Sequence, residues 1–120
     1  MLDLINPNGV NEKFFGEKEV YENCLKNFIN DQKIFDYFDE IVLMHHNHDY
    51  YEMIDRIEYL QPKACKLALD RLNYYCENVI LDLQHNRFER FEDDFDGFCD
   101  AFNDTVSDLQ EQLLPKRKRR

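Results

Sequence analysis

Tryptophan is absent from this 120-residue chain, and glycine and proline occur three times each. So little turn material argues against a many-stranded sheet, whose strands end at Gly, Pro and Asn, so helices are expected. No apolar run approaches the ~20 residues of a membrane-spanning helix. The opening MLDLINPNG has neither a basic n-region nor a long apolar stretch, which speaks against a signal peptide. A Gly-rich phosphate loop, a nucleophile elbow and a paired-metal motif are also missing, so no enzyme and no cofactor are expected. Cys24, Cys65, Cys76 and Cys99 lack Cys-x-x-Cys spacing, and without a secretion signal they read as reduced core residues on helical apolar faces.

Cationic charge is scarce as well. Acidic residues number 25 against 15 basic ones, giving a net charge of −10. The last five residues, Lys116 to Arg120, contribute +5, which leaves −15 on the rest. A body that acidic repels phosphate backbones and argues against nucleic-acid binding by the folded part. What is present in quantity is apolar and aromatic: 43% hydrophobic residues, with ten Phe and seven Tyr. That suffices for one core. The expectation is a single helical domain over residues 1–115, followed by a disordered basic tail over 116–120.

Pro7, Asn8-Gly9 and Gly16 punctuate an N-terminal segment that Phe14 and Phe15 are expected to pin to the core. Acidic residues from Glu17 suit the positive end of a helix dipole, and Val20, Cys24, Leu25 and Phe28 share a face. Asn30 or Asp31 can cap the next helix, with Ile34, Phe35, Phe38, Ile41 and Val42 as its stripe. Asn47 is the candidate cap for a helix carrying Met53, Ile54, Ile57 and Leu60. Pro62 cannot donate to the carbonyl of Glu58, which predicts a kink or short break between Leu60 and Ala64. Leu69, Leu72, Cys76, Val79 and Leu83 follow with strict 3–4 spacing. Asn86 to Glu89 resembles a capping box. Phe91, Phe95, Phe98, Phe102, Leu109 and Leu113 then form a final stripe, with Gly97 inside it permitting close packing, and Pro115 ends it. Short connections between such helices predict antiparallel neighbours in an up-and-down four-helix bundle, an all-α fold.

The stretch Glu58-Tyr59-Leu60-Gln61-Pro62-Lys63-Ala64-Cys65-Lys66-Leu67-Ala68, with Leu72 and Cys76 beyond it and Asp49 nine residues before it, resembles the histidine-containing phosphotransfer (HPt) domain. That family is a four-helix bundle carrying H-x-L-K-G-x-x-x-x-x-G on one helix, and the similarity covers roughly residues 10–114. Here the phosphoacceptor position is Glu58, the supporting lysine is Gln61, the glycine that admits a receiver domain is Pro62, and the second small residue is Ala68. Only Leu60 remains from the motif's centre. A carboxylate lacks the nucleophilic imidazole that such transfer uses. The resemblance therefore implies a module that docks a receiver domain or response regulator in two-component signalling without transferring phosphate. Its docking face would hold Tyr51, Ile54, Glu58, Tyr59, Gln61, Pro62, Lys63, Lys66 and Arg71.

Other readings rest on other residues. His45, His46 and His48, with Asp49, form the one metal-like cluster, but neighbours in a loop rarely converge on one ion, so no metal is expected. A phosphoacceptor relocated to these histidines is disfavoured, because they are followed by an acidic residue. His85 suits a helix C-terminus. Asp93, Asp94 and Asp96 read as a solvated face. Tyr50, Tyr51, Tyr59, Tyr74 and Tyr75 cannot all lie on one buried stripe, and exposed aromatics would mark a structural subunit of a complex. The PKRKRR tail is of nuclear-localisation type, and the expected location is cytoplasmic, or nuclear if the source is eukaryotic.

Overall fold

In the computed structural model, which describes residues 2–113, the chain is all-α and no strand occurs among the described residues. Six helices follow in order: α1 (Pro7–Phe14), α2 (Lys18–Ile29), α3 (Gln32–His46), α4 (Tyr50–Lys66), α5 (Asp70–Gln84) and α6 (Phe88–Leu113). The basic tail expected over 116–120 lies outside the described residues.

Helices α3 to α6 are joined by three turns of one design. His48, Ala68 and Asn86 each take a left-handed backbone, with φ of 62°, 59° and 56°. The next amide then reaches back five residues: Asp49 N–H donates to Met44 O at 2.8 Å, Leu69 to Ala64 at 2.9 Å, and Arg87 to Asp82 at 2.8 Å. The left-handed residue itself donates three residues back in all three cases. This double bond satisfies helix-end carbonyls and reverses the chain. No glycine marks these turns, so the sequence carries little signal for them. Asn47 closes α3 instead of capping α4, and Asp49 precedes α4 without a side-chain cap. Asn86 likewise belongs to the end of α5 and not to a capping box.

The reversals place aromatic rings between α3 and α6. Phe38 stacks on Phe102 with centroids 4.0 Å apart, Phe35 meets Phe102 edge-on at 5.8 Å, and His45 stacks on Phe95 at 4.0 Å. Phe91, Phe98, Ile34, Ile41, Met53, Ile57, Leu60 and the full Leu69–Leu83 stripe are buried. Helix α4 runs unbroken through Pro62. Buried Leu60 and Ala64 anchor the helix on either side of the proline, which sits on the exposed face. The expected break is absent because that packing outweighs one lost hydrogen bond.

The N-terminal segment is not irregular. Asn6 Oδ1 accepts from Asn8 N–H at 3.0 Å and Gly9 N–H at 3.3 Å, and Pro7 starts α1 where no amide is needed. Asn6 N–H donates to Ala68 O at 2.9 Å, its side chain donates to Asp70 at 2.8 Å, and Arg71 N–H donates to Asp3 O at 3.1 Å. Tyr21 Oη donates to Leu67 O at 2.8 Å, and burial with the charge of Asp70 raises its phenol to about 12. Gly9 lies against Ala68, where an added Cβ would come within 3.1 Å of the alanine methyl. Phe14 is buried, as expected, but Phe15 is 87% exposed. Val20 and Val42 also face outward; on α2 the inward face is supplied by Tyr21, Leu25, Phe28 and Ile29. Cys65 is exposed, not in the core.

One buried carboxylate stabilises the α5–α6 turn. Asp82 is 1% exposed, and its Oδ1 accepts from Arg87 Nε at 3.2 Å. Its Oδ2 has no donor among the described side chains unless Asp94 of α6 carries a proton. Burial, the hydrogen bond with Asp82 and the charge of Asp82 push the Asp94 carboxyl up to about 6. The folded chain thus binds this proton more tightly than the unfolded one, so the contribution to stability is complete below about pH 4 and is lost as pH rises through 6. Asp94→Asn should flatten the fall in thermal midpoint between pH 4 and 7 and raise the midpoint at pH 7; an unchanged pH profile would remove the shared proton from the account.

Candidate functional site

Helix α4 presents its outer face because Met53, Ile57, Leu60 and Ala64 turn inward. Tyr51, Glu58, Pro62 and Lys66, spaced by seven, four and four residues, are all exposed and form one stripe. Ile54 and Gln61, both half-buried, lie along one edge of it, and Tyr59 and Lys63, also half-buried, along the other. Tyr51 Oη donates to Asn86 Oδ1 at 2.6 Å, which ties the start of α4 to the α5–α6 turn. Among the described residues Glu58 has no ion-pair partner.

Tyr59 is the structured part of the site. Its hydroxyl donates to Asp31 Oδ2 at 3.1 Å, its ring meets Tyr37 edge-on at 5.1 Å, and Lys33 and Lys63 each hold an ammonium 4.6 Å from its centre. Partial burial first, and the bond to Asp31 second, raise its phenol above the ordinary range. Arg56 adds a 2.9 Å pair to Glu40 of α3. Lys63 and Lys66 also line a cleft of about 200 Å³ against Cys24, Asn27 and Asp31 at the junction of α2 and α3. The corner where α2, α3 and α4 meet therefore gathers Lys33, Lys63 and Lys66 beside Asp31. Lys33 and α2 are neighbours of the α4 face that the sequence does not announce; the one signal for them is Asp31 as a cap with Lys33 two residues on.

Arg71 does not join this face. It lies in the first turn of α5, donates from Nε to Leu2 O at 3.0 Å, and lines a groove with Tyr74, Tyr75 and residues of α6. At the far end of α4, Lys13 donates its ammonium to the Cys65 carbonyl and lies 3.6 Å from the Cys65 sulfur. A lysine there caps a helix-end carbonyl, a contact across 52 residues that no local pattern announces.

The histidines are dispersed by helix geometry. His45 and His46 belong to the last turn of α3 and not to a loop. His45 Nε2 lies 3.0 Å from Glu92 Oε1 while its ring stacks on Phe95. His48 Nδ1 instead faces Tyr50 Oη at 2.6 Å. Among the described residues no three metal-type side chains converge, and no helix is long and apolar enough to cross a membrane.

Chemically, the α4 face offers an exposed carboxylate, with an ammonium at Lys66 two turns further along and no imidazole on the same stripe. It can pair charges and stack. Compared with protein-family models, curated proteins and solved structures, the chain matches none.

Pro62 costs α4 one backbone hydrogen bond without interrupting it. Pro62→Ala should therefore raise unfolding stability by roughly 1–3 kcal/mol in denaturant titration. A loss of stability would mean that the proline fits a bend on which the packing depends.

Proposed function

We propose that this chain is a degenerate HPt-like binding module. In this reading α3 to α6 form the family's up-and-down bundle, and the outer face of α4 docks a receiver domain or related regulator without accepting phosphate. The observation that carries it is one of position. Glu58, aligned with the vacated acceptor, is solvent-exposed in mid-helix, and Ala68, aligned with the family's second glycine, takes a left-handed φ of 59° at that helix's end. A left-handed backbone is where glycine is favoured, so the position aligned with the family's glycine is one that glycine would suit, as are the equivalent turn positions His48 and Asn86.

The electrostatics favour docking over transfer. A phosphoryl group arriving at Glu58 would meet a fixed negative charge, while Lys63 and Lys66 at the flank attract an acidic surface. Tyr51, Tyr59 and Pro62 provide rigid contact area at low entropic cost. Calorimetric titration with isolated receiver domains should give saturable binding on the order of micromolar, as for small signalling interfaces. Lys66→Glu should weaken it about tenfold. Absence of binding to any receiver overturns the proposal, and a stable phosphoryl group on Glu58 or on any histidine after mixing with a phosphorylated receiver overturns its non-transfer part.

A second reading, a structural subunit within a complex, is favoured by Phe15. Two successive left-handed residues, Phe15 at φ 52° and Gly16 at φ 77°, hold this ring 87% exposed, with Val20 also exposed on the first turns of α2. A ring held this far into solvent is available to a partner surface, and such contact is what this reading requires. Light scattering should then show an oligomer that Phe15→Asp disperses; a monomer unaffected by the substitution excludes self-assembly through this ring.

A further inference from the structure

We propose that the groove between α5 and α6 binds the chain's own basic segment, Lys116 to Arg120. The groove is on different helices from Glu58 and does not depend on the α4 docking face. It encloses about 740 Å³. Gly97 forms its floor: a Cβ there would fall 2.3 Å from the Tyr75 ring, so the ring lies directly over the α6 backbone. Tyr74 meets Tyr75 edge-on at 5.0 Å and stays 46% exposed, leaving aromatic surface free for a cation.

The opposite wall is acidic. Asp100 and Asp104 line the groove, and they belong to an exposed α6 stripe of Asp93, Asp96, Asp100, Asp104 and Glu111 at spacings of three, four, four and seven. Arg71 offsets one of these charges, and its guanidinium is held by the Leu2 carbonyl. The remaining negative charge favours a cationic occupant, and the sequence carries one dense cationic block, Lys116-Arg117-Lys118-Arg119-Arg120.

Length permits the match. Helix α6 is described to Leu113, and an extended chain spans about 3.4 Å per residue, so Lys118 to Arg120 reach about 17 to 24 Å from that point. At a rise of about 1.5 Å per residue, Asp104 and Asp100 lie about 14 and 20 Å back along the helix from Leu113. A tether this short gives an effective concentration on the order of millimolar. That exceeds the concentration of a second copy in dilute solution, so the contact is within one chain. Anionic partners of the basic block would then compete with the groove, and raised salt would release it.

The test compares backbone amide spectra of the intact chain with those of a full-length variant in which residues 116–120 are all glutamine. At low salt, shifts should cluster at Tyr74, Tyr75, Gly97, Asp100 and Asp104. They should be unchanged over a roughly tenfold range of protein concentration and should collapse in about 0.5 M salt. Asp100→Asn with Asp104→Asn, keeping the basic block, should reproduce the glutamine spectrum at Tyr74 and Gly97. Shifts confined to the last turn of α6, shifts that cluster elsewhere, or shifts that grow with concentration and so report a second copy, each overturn the proposal.

Discussion

The architecture depends on three non-glycine residues in left-handed backbone. His48, Ala68 and Asn86 each stop a helix and send the chain back within three residues. Each costs roughly 1 kcal/mol or more for a conformation that side chains resist, and each is offset by two helix-end hydrogen bonds. Because the reversals are equally tight, α3, α4, α5 and α6 each lie against the next with little freedom in register. The ring pairs Phe38–Phe102 and His45–Phe95 join the first and last of these four helices directly.

Periodicity makes most of the core legible. Leu69, Leu72, Cys76, Val79 and Leu83 are all fully buried, because strict 3–4 spacing leaves a helix only one way to face. The misreadings occur where that rule has no purchase. Helix α1 is short, and only Asn6 and Pro7 signal it. Phe15 reads as a core residue by type, yet its left-handed backbone turns it outward. Pro62 reads as a break, although proline costs one bond while two flanking residues, Leu60 and Ala64, are wholly buried. Local propensity loses to tertiary packing there.

The candidate site is legible in part for the same reason. Tyr51, Glu58, Pro62 and Lys66 share a stripe because one helix carries them. Arg71 reads as their neighbour by proximity in sequence, but the turn at Ala68 delivers it to another surface. Conversely, Lys33 and Asp31 reach Tyr59 from the start of α3, a juxtaposition that only folding creates. Among the described residues, Lys33 and Lys63 thus gather around one tyrosine ring on a helix whose outer face also carries the exposed Glu58.

The strap formed by residues 2–6 joins the two ends of a long loop. Its side-chain bond from Asn6 to Asp70 closes a separation of 64 residues, and the bond from Arg71 to the Leu2 carbonyl closes one of 69. Helices α3 to α6, by contrast, meet through three-residue turns. Closing so long a loop costs more entropy than closing a three-residue turn. The strap is also the part that can lift away in local opening without unfolding the rest, exposing the α4–α5 turn it covers.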